Sequence, residues 1–156
     1  MERALLLYLF ASFERGSEGG RRQVADVKFY DETVQVDLGT LKQSQLQRVG
    51  TIDFSDLVFG SVRLSAMMTE YLETREGLKQ GDLLFPRPGG GAVTSTEASR
   101  ILRKWLTRVG ADRGQTSHGL RRGGMQHQHR LGQLVGSIQQ QAVHKHSAMT
   151  CLYIGV

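Results

Sequence analysis

The sequence is poor in features that define several protein classes. Its 156 residues include a single cysteine, Cys151, which excludes a disulfide framework and a multi-cysteine zinc site and fits a reducing compartment. Only 2 residues are proline and 39% are hydrophobic, which argues against disorder and predicts one globular domain. The longest apolar run, Ala4 to Ala11, is far shorter than the roughly 20 residues of a membrane span, and charge resumes at Glu14 without a signal-peptide cleavage site. No membrane partner is expected.

Acidic residues are scarce in the C-terminal part of the chain. Residues 97–156 carry 9 Lys and Arg against 2 Asp and Glu, whereas residues 1–96 carry 11 against 13. No acidic residue follows Asp112, and all 5 histidines lie beyond it. A tract that cannot neutralise its own charge predicts a polyanionic partner, and nucleic acid is the simplest one. A solvated basic face is the alternative, although such faces usually intersperse Glu and Asp.

Hydrophobic periodicity predicts a mainly α-helical domain with one small antiparallel β-sheet, an α+β fold. Alternating apolar residues between positions 24 and 54 favour a strand meander, and residues 77–91 are expected to form a long loop. The capping box Thr94-x-x-Glu97 begins a helix with Ala98, Ile101, Trp105 and other apolar residues, including Val109, on its inner face. Helices are expected at residues 3–13, 61–76, 94–110, 121–131, 137–143 and 148–154.

The most informative stretch runs from Thr116 to Gly124, and Ser117 within it can cap a helix. His118 and Arg121 are three residues apart and share a helix face, so an imidazole and a guanidinium beside a helix N-terminus predict an anion site. His144 and Tyr153 follow, each a weak signal alone.

Two histidine pairs suggest a metal, but their spacing argues against one. His127 and His129, like His144 and His146, are two apart, so a helix directs them to different faces, and no acidic residue or adjacent cysteine completes a ligand set. No metal site is expected, and His127, His129 and His146 are predicted to be exposed or to face DNA. A metal-dependent hydrolase is the weakest reading.

These residues resemble the tyrosine recombinases, the site-specific recombinases of the phage integrase type. His118-x-x-Arg121, then His144 and Tyr153, are similar to the second and third catalytic boxes, and Arg15-x-x-Glu18 is similar to the first. Lys42 falls in the turn where the family has its catalytic lysine. The local sequence around His118 is most similar to that of recombinases carried by eukaryotic mobile elements.

The resemblance implies a tyrosine-recombinase catalytic-domain fold and an enzyme of DNA recombination and integration. Strands would be cut and rejoined through a covalent 3′-phosphotyrosine, without metal, ATP or other cofactors. The implied roles are charge neutralisation by Arg15 and Arg121, nucleophilic attack by Tyr153, protonation of the leaving 5′ oxygen by Lys42, proton removal or phosphate binding by His118, and hydrogen bonding to phosphate by His144.

The expected partner is double-stranded DNA. Candidate DNA-binding residues are Arg100, Arg103, Lys104, Arg122 and Lys145. Family members act as homo-oligomeric synaptic tetramers, whereas this chain alone is compatible with a monomer. The resemblance places it inside the cell with DNA, in the nucleus of a eukaryote or in the cytoplasm or nucleoid of a bacterium or phage.

Several positions depart from the family pattern. Glu14 replaces an apolar residue and Gly19 and Gly20 replace core leucines, which predicts a loosened first box, and Val143 replaces a glycine. Residues 1–156 are expected to form a single catalytic domain that lacks the N-terminal DNA-clamping domain and the segment after the nucleophile. The alternative function is that of a truncated or decayed relative that binds DNA without catalysis.

Overall fold

The computed structural model describes residues 1–30, 32–40, 49–56, 58–59 and 62–156. Within these ranges no helix is both long and apolar enough to cross a membrane. The helices are α1 Glu2–Ser12, α2 Gly16–Gly19, a 3-10 turn Val24–Asp26, α3 Leu64–Glu73, α4 Ser95–Arg108, α5 Ser117–Arg130, α6 Val135–Gln141 and α7 Ser147–Ile154. The strands are β1 Val27–Phe29, β2 Thr33–Thr40, β3 Val49–Ser55, β4 Val58–Phe59 and β5 Val62–Arg63. This is the predicted α+β fold, and helix boundaries differ from expectation by a few residues at most elements.

Helix α1 supplies the centre of the main core. Leu5, Tyr8 and Leu9 are fully buried, and α1 contacts α3, α4 and α5. The helix ends at Phe13, which adopts the left-handed conformation with φ 60° and turns the chain toward α2. A non-glycine residue in this conformation costs roughly 1–2 kcal/mol, so the surrounding packing must hold the turn.

The predicted strand meander is confirmed. Strands β1, β2 and β3 form an antiparallel sheet in chain order, with Val36 opposite Val27 and Ile52. Alternate residues of β2 and β3, such as Val34 and Phe54, are buried against the core, whereas their neighbours are half-buried or exposed. The period of two that identifies a half-buried strand therefore also sets its inner face.

Helix α4 begins with the predicted capping box. Thr94 Oγ1 accepts a hydrogen bond from the Glu97 amide at 3.2 Å, and the Thr94 amide donates to Glu97 Oε2 at 3.0 Å. One residue assigned to its inner face was predicted wrongly: Val109 is 73% exposed because it is the C-cap. Trp105 packs against the main core as expected, but it is only partly buried, and its indole N–H donates to Glu2.

Helix α5 begins four residues earlier than predicted, and Thr116 rather than Ser117 is its N-cap. No side chain of α5 itself caps the helix; instead Ser99 Oγ on α4 accepts the Ser117 amide hydrogen at 2.9 Å. The orphan amides of a helix N-terminus need such acceptors. The neighbouring helix α4 therefore fixes where α5 begins, and with it the position of His118.

The expectation that glycines loosen the first box is wrong. A Cβ on Gly20 would lie 2.0 Å from the carbonyl oxygen of Val93, and one on Gly19 would lie 2.5 Å from Leu9 Cδ2. Both glycines are buried. The chain here packs backbone against neighbours with no room for leucine, so the glycines permit a close approach.

Candidate active site

Arg121 lies at the centre of a cluster of the predicted site residues. It is 3% exposed, and its Nη1 donates to the main-chain oxygen of Phe13 while its Nη2 donates to that of Ala142 at 2.7 Å. Its Nε has no hydrogen-bond partner among the residues that the structure describes. Burial lowers the pKa of Arg121, and the charge of Arg15 lowers it further. The guanidinium is thus clamped by backbone oxygens and keeps a donor unused.

His144 contacts Arg121 on one side and α7 on the other. Its Nε2 lies 3.0 Å from Arg121 Nη2, and its Nδ1 lies 3.0 Å from the hydroxyl of Thr150. Burial, together with the charges of Arg121 and Arg15, lowers the pKa of His144 to about 4. The imidazole is therefore neutral near pH 7 in this arrangement.

Tyr153 on α7 faces the two histidines. Its hydroxyl lies 2.8 Å from Nε2 of His118, and its ring centroid lies 5.3 Å from that of His118 and 5.1 Å from that of His144. Burial, followed by the charges of Arg121 and Arg15, also lowers the pKa of His118. A neutral imidazole beside a phenol is the pairing that general-base activation of a nucleophile requires.

Arg15 lies at the exposed edge of the same cluster. It is the N-cap of α2, and its Nη1 forms an ion pair with Glu18 at 2.7 Å. Arg15 and His118 both line an open cavity of about 250 Å³, together with Ser117 and Ser99. The structure therefore brings together Arg15, His118, Arg121, His144 and Tyr153 from α2, α5, α7 and the loop before α7, whereas Lys42 lies outside the described residues.

Glu14, which precedes Arg15, is buried in an ionic cluster instead of being displaced from the core. It is 4% exposed, accepts a hydrogen bond from the Tyr8 hydroxyl at 2.7 Å and pairs with Arg22, whose Nε lies 2.7 Å from Glu14 Oε1. Arg22 also donates to the main-chain oxygen of Asp37 on β2 at 2.9 Å. The charged pair thus ties the turn that carries Arg15 to the sheet.

The candidate DNA-binding residues of α4 line a second groove. This groove of about 600 Å³ shares Thr96, Ser99 and Thr116 with the first cavity, so the two adjoin. Its basic residues differ in their pairing: Lys104 forms an ion pair with Glu2 at 2.8 Å and Arg103 one with Asp112 at 3.5 Å, whereas Arg100 forms none within 4.0 Å in the described ranges. Arg122 and Lys145 are exposed.

The remaining histidines were predicted only in part. His146 is exposed, but His127 and His129 are half-buried on α5, and the His127 ring lies 5.7 Å from that of Phe10. Across the described part of the chain, no group of three or more histidine, cysteine or acidic residues could hold a metal ion.

Sequence reasoning missed three partners of the cluster: the hydroxyl of Thr150 and the main-chain oxygens of Phe13 and Ala142. The Thr150 hydroxyl is fully buried and three residues before Tyr153. Main-chain acceptors leave no side-chain pattern, but a threonine on the nucleophile's helix face could have been noticed from its i, i+3 spacing.

The fold has known counterparts. The XerH site-specific recombinase bound to difH substrate in a pre-cleavage complex superposes with a TM-score of 0.74 at 16% identity, over 97% of this chain and 42% of that one. The XerA recombinase gives 0.75 at 19% identity, over 99% and 52%, and the Tn1549 transposon integrase in complex with a circular intermediate DNA gives 0.69 at 15%, over 96% and 52%.

This chain therefore spans about half the length of those proteins, and likeness at such identities concerns the fold. A search of curated protein sequences finds no match. The model of the phage integrase family, in contrast, matches residues 1–156. The chain belongs to the phage integrase family, the tyrosine recombinases.

Proposed function

We propose that this chain cuts and rejoins DNA strands in site-specific recombination, with Tyr153 as the nucleophile. Family membership supports site-specific recombination in general. The observation that carries the specific proposal is the 2.8 Å distance between the Tyr153 hydroxyl and Nε2 of His118, beside the buried guanidinium of Arg121. A phenol, a base and a fixed cation within one cluster are the parts of nucleophilic phosphoryl transfer.

The guanidinium groups supply the charge that the reaction needs. Attack on a phosphodiester builds negative charge on the non-bridging oxygens, and arginine forks neutralise it at fixed geometry. Arg121 is held before any substrate arrives, and its unused Nε–H leaves a buried donor that a phosphate oxygen would satisfy. Arg15 approaches from the exposed side of the cavity that it shares with His118.

The proposed cleavage step transfers the phosphate from the 5′ oxygen to Tyr153. The Tyr153 hydroxyl passes its proton to His118 as its oxygen bonds to phosphorus, and the bond between phosphorus and the 5′ oxygen breaks. The phosphate stays on the 3′ strand end as a phosphotyrosine, and the leaving 5′ oxygen takes a proton from Lys42. His144 binds a phosphate oxygen. Rejoining reverses these steps, so the bond energy is conserved without ATP.

The substrate that this function implies is a DNA duplex lying along the two adjoining cavities. Arg100, Arg103 and Lys104 line the groove on α4, and Arg122 and Lys145 are exposed cations. Two of the three structures described above are DNA-bound complexes. We propose that these cations bind the phosphate backbone on either side of the cut.

A covalent-trapping experiment tests the proposal. The chain is incubated with a pool of nicked duplexes that carry a randomised central segment, so that the cut fragment diffuses away and the phosphotyrosine accumulates. Denaturing electrophoresis should show a protein–DNA band that survives in a chelator. Tyr153→Phe should lose it, whereas the matched control Tyr30→Phe, at a 53% exposed tyrosine, should retain it.

Arg121→Ala should lower adduct formation by roughly 100- to 1000-fold, the usual cost of removing one preorganised charge-stabilising donor. DNA binding without any adduct from the wild-type chain would contradict the proposal and favour the alternative of a relative that binds DNA without catalysis.

A further inference from the structure

His144 is held at both ring nitrogens, and one of its partners is a residue with no role in the proposed reaction. Nε2 faces Arg121 at 3.0 Å, and Nδ1 faces the hydroxyl of Thr150 at 3.0 Å. Thr150 is fully buried on α7, one helical turn before Tyr153. Burying a hydroxyl group in the core lowers the stability of the fold unless the hydroxyl is hydrogen-bonded.

The two contacts define the protonation state of the ring. Arginine has only N–H donors and no acceptor, so Nη2 of Arg121 can bond Nε2 only if Nε2 carries a lone pair. In a neutral imidazole the proton is then on Nδ1, which donates it to the Thr150 oxygen. A cationic ring would place two donors face to face, and the low pKa of His144 agrees with a neutral ring.

We infer that Thr150 is a positioning residue, which together with Arg121 holds His144 in the single neutral tautomer that carries its proton on Nδ1. The inference deepens the proposed function and rests on it for its kinetic consequence, but not for the tautomer itself. Thr150 lies on the helix of the nucleophile, so the chain Thr150–His144–Arg121 aligns Tyr153 with the guanidinium.

The same hydroxyl also allows the ring to change its role. Nε2 cannot donate to a phosphate oxygen while it accepts from Arg121. For the neutral ring to donate to a phosphate oxygen, its proton must be on Nε2, and the unprotonated Nδ1 then needs a donor. A hydroxyl supplies that donor because it both accepts and donates. Valine, which has nearly the same shape, does neither.

The tautomer can be observed directly without DNA. The full chain is labelled with ¹⁵N-histidine, and the ring nitrogen shifts of His144 are assigned by their loss in His144→Gln. We expect a protonated Nδ1 and an unprotonated Nε2 near pH 7 in the wild type and in Thr150→Ser, which keeps the hydroxyl. Thr150→Val should show a mixture of tautomers, and Thr69→Val, at an exposed threonine of α3, should match the wild type.

The rate of single-turnover strand cleavage, measured on the nicked duplexes of the covalent-trapping experiment, gives the second readout. Thr150→Val should slow cleavage by about 10- to 100-fold, the range typical of removing a group that orients a functional histidine, and Thr150→Ser should restore most of the rate. Nε2 protonated in the free wild type would overturn the inference even if cleavage occurs. Unchanged tautomers and rate in Thr150→Val would overturn it as well. Because the spectrum is recorded without DNA, a wild type that fails to cleave but shows the expected tautomer would contradict only the proposed function.

Discussion

Gly124 on α5 lies directly against the main-chain carbonyl of Phe10 on α1: a Cβ at position 124 would be 2.0 Å from that oxygen. Such a contact cannot be relieved by rotating a side chain, so the two helices must separate. We expect Gly124→Ala to lower the free energy of unfolding by about 3 kcal/mol, the upper end of the usual range for overpacking. Urea denaturation followed by circular dichroism measures this loss.

Gly119 on the same helix is the matched control. A Cβ there meets nothing within 4 Å, so Gly119→Ala should gain up to about 1 kcal/mol from the higher helix propensity of alanine. Equal effects of the two substitutions would show that the close approach of α1 and α5 is not the cause.

The buried pair of Glu14 and Arg22 should be costly to break from one side. Side-chain exposure is 5% for Glu14 and 14% for Arg22, so Glu14→Gln leaves a largely buried cation without its counter-charge. We expect a loss of about 3–5 kcal/mol in the free energy of unfolding, measured by urea denaturation.

A double-mutant cycle with Arg22→Met separates this effect from simple loss of packing. The double variant should lose less than the sum of the two single variants, because no unpaired charge remains. At the exposed pair of Arg103 and Asp112, Arg103→Met should cost at most about 1 kcal/mol. Additive losses at Glu14 and Arg22 would contradict the coupling.

Val143 carries backbone strain next to His144. Its φ is 54°, a left-handed conformation that a β-branched residue strongly disfavours. Val143→Gly should raise the free energy of unfolding by about 1 kcal/mol, because relief of strain exceeds the entropy that glycine loses on folding. Val109→Gly is the control, since that exposed C-cap has φ −104° and should gain nothing. Urea denaturation measures both variants, and equal changes in their midpoints would show that Val143 carries no backbone strain.

Much of this fold follows from short-range sequence patterns. The alternation of Val34 and Val36 predicts the buried face of β2, and the Thr94 capping box predicts where α4 begins. Both signals are local, because strand period and helix capping are set by residues a few positions apart. Helical spacing predicts an anion site at His118 and Arg121, whereas the cluster that joins Arg121 to His144 and Tyr153 was expected only from a family resemblance.

The wrong predictions have a common physical origin in contacts beyond a single helix or strand. Gly20 was predicted to loosen the first box, but it packs against the backbone of Val93, far along the chain. Glu14 departs from an apolar family position, but its partner Arg22, in the loop after α2, satisfies the carboxylate. The start of α5 depends on Ser99, an acceptor from another helix. No local pattern reports such tertiary partners.

The lowered pKa of His144 should make the free energy of unfolding depend on pH. Its pKa is lowered on folding to about 4, so between the unfolded value of about 6.5 and 4 the unfolded chain binds a proton that the folded chain does not. Stability is therefore complete above about pH 6.5 and is lost as the pH falls toward 4. His118, whose pKa is also lowered, contributes in the same direction.

Urea denaturation at pH 7 and pH 5 tests this dependence. The loss of stability between the two pH values should be smaller in His144→Gln than in the wild type, and His146→Gln, at an exposed histidine, should behave like the wild type. A loss in His144→Gln as large as that of the wild type would show that another group is responsible.

The ion pairs of α4 predict unequal contributions to DNA affinity. Arg100 is exposed and forms no ion pair within 4.0 Å in the described ranges, whereas Lys104 must give up Glu2 before it can bind phosphate. Each neutralised phosphate contributes about 1 to the slope of log K against log salt. Arg100→Gln should therefore lower that slope by about 1, and Lys104→Gln by less, in fluorescence anisotropy with a labelled duplex.

Arg130→Gln removes an exposed charge at the opposite end of α5 from His118, roughly 18 Å along the helix, and should leave the slope unchanged. Equal slopes for Arg100→Gln and Arg130→Gln would place the DNA elsewhere than along the α4 groove, because only a charge that releases a counterion on binding can change the salt dependence.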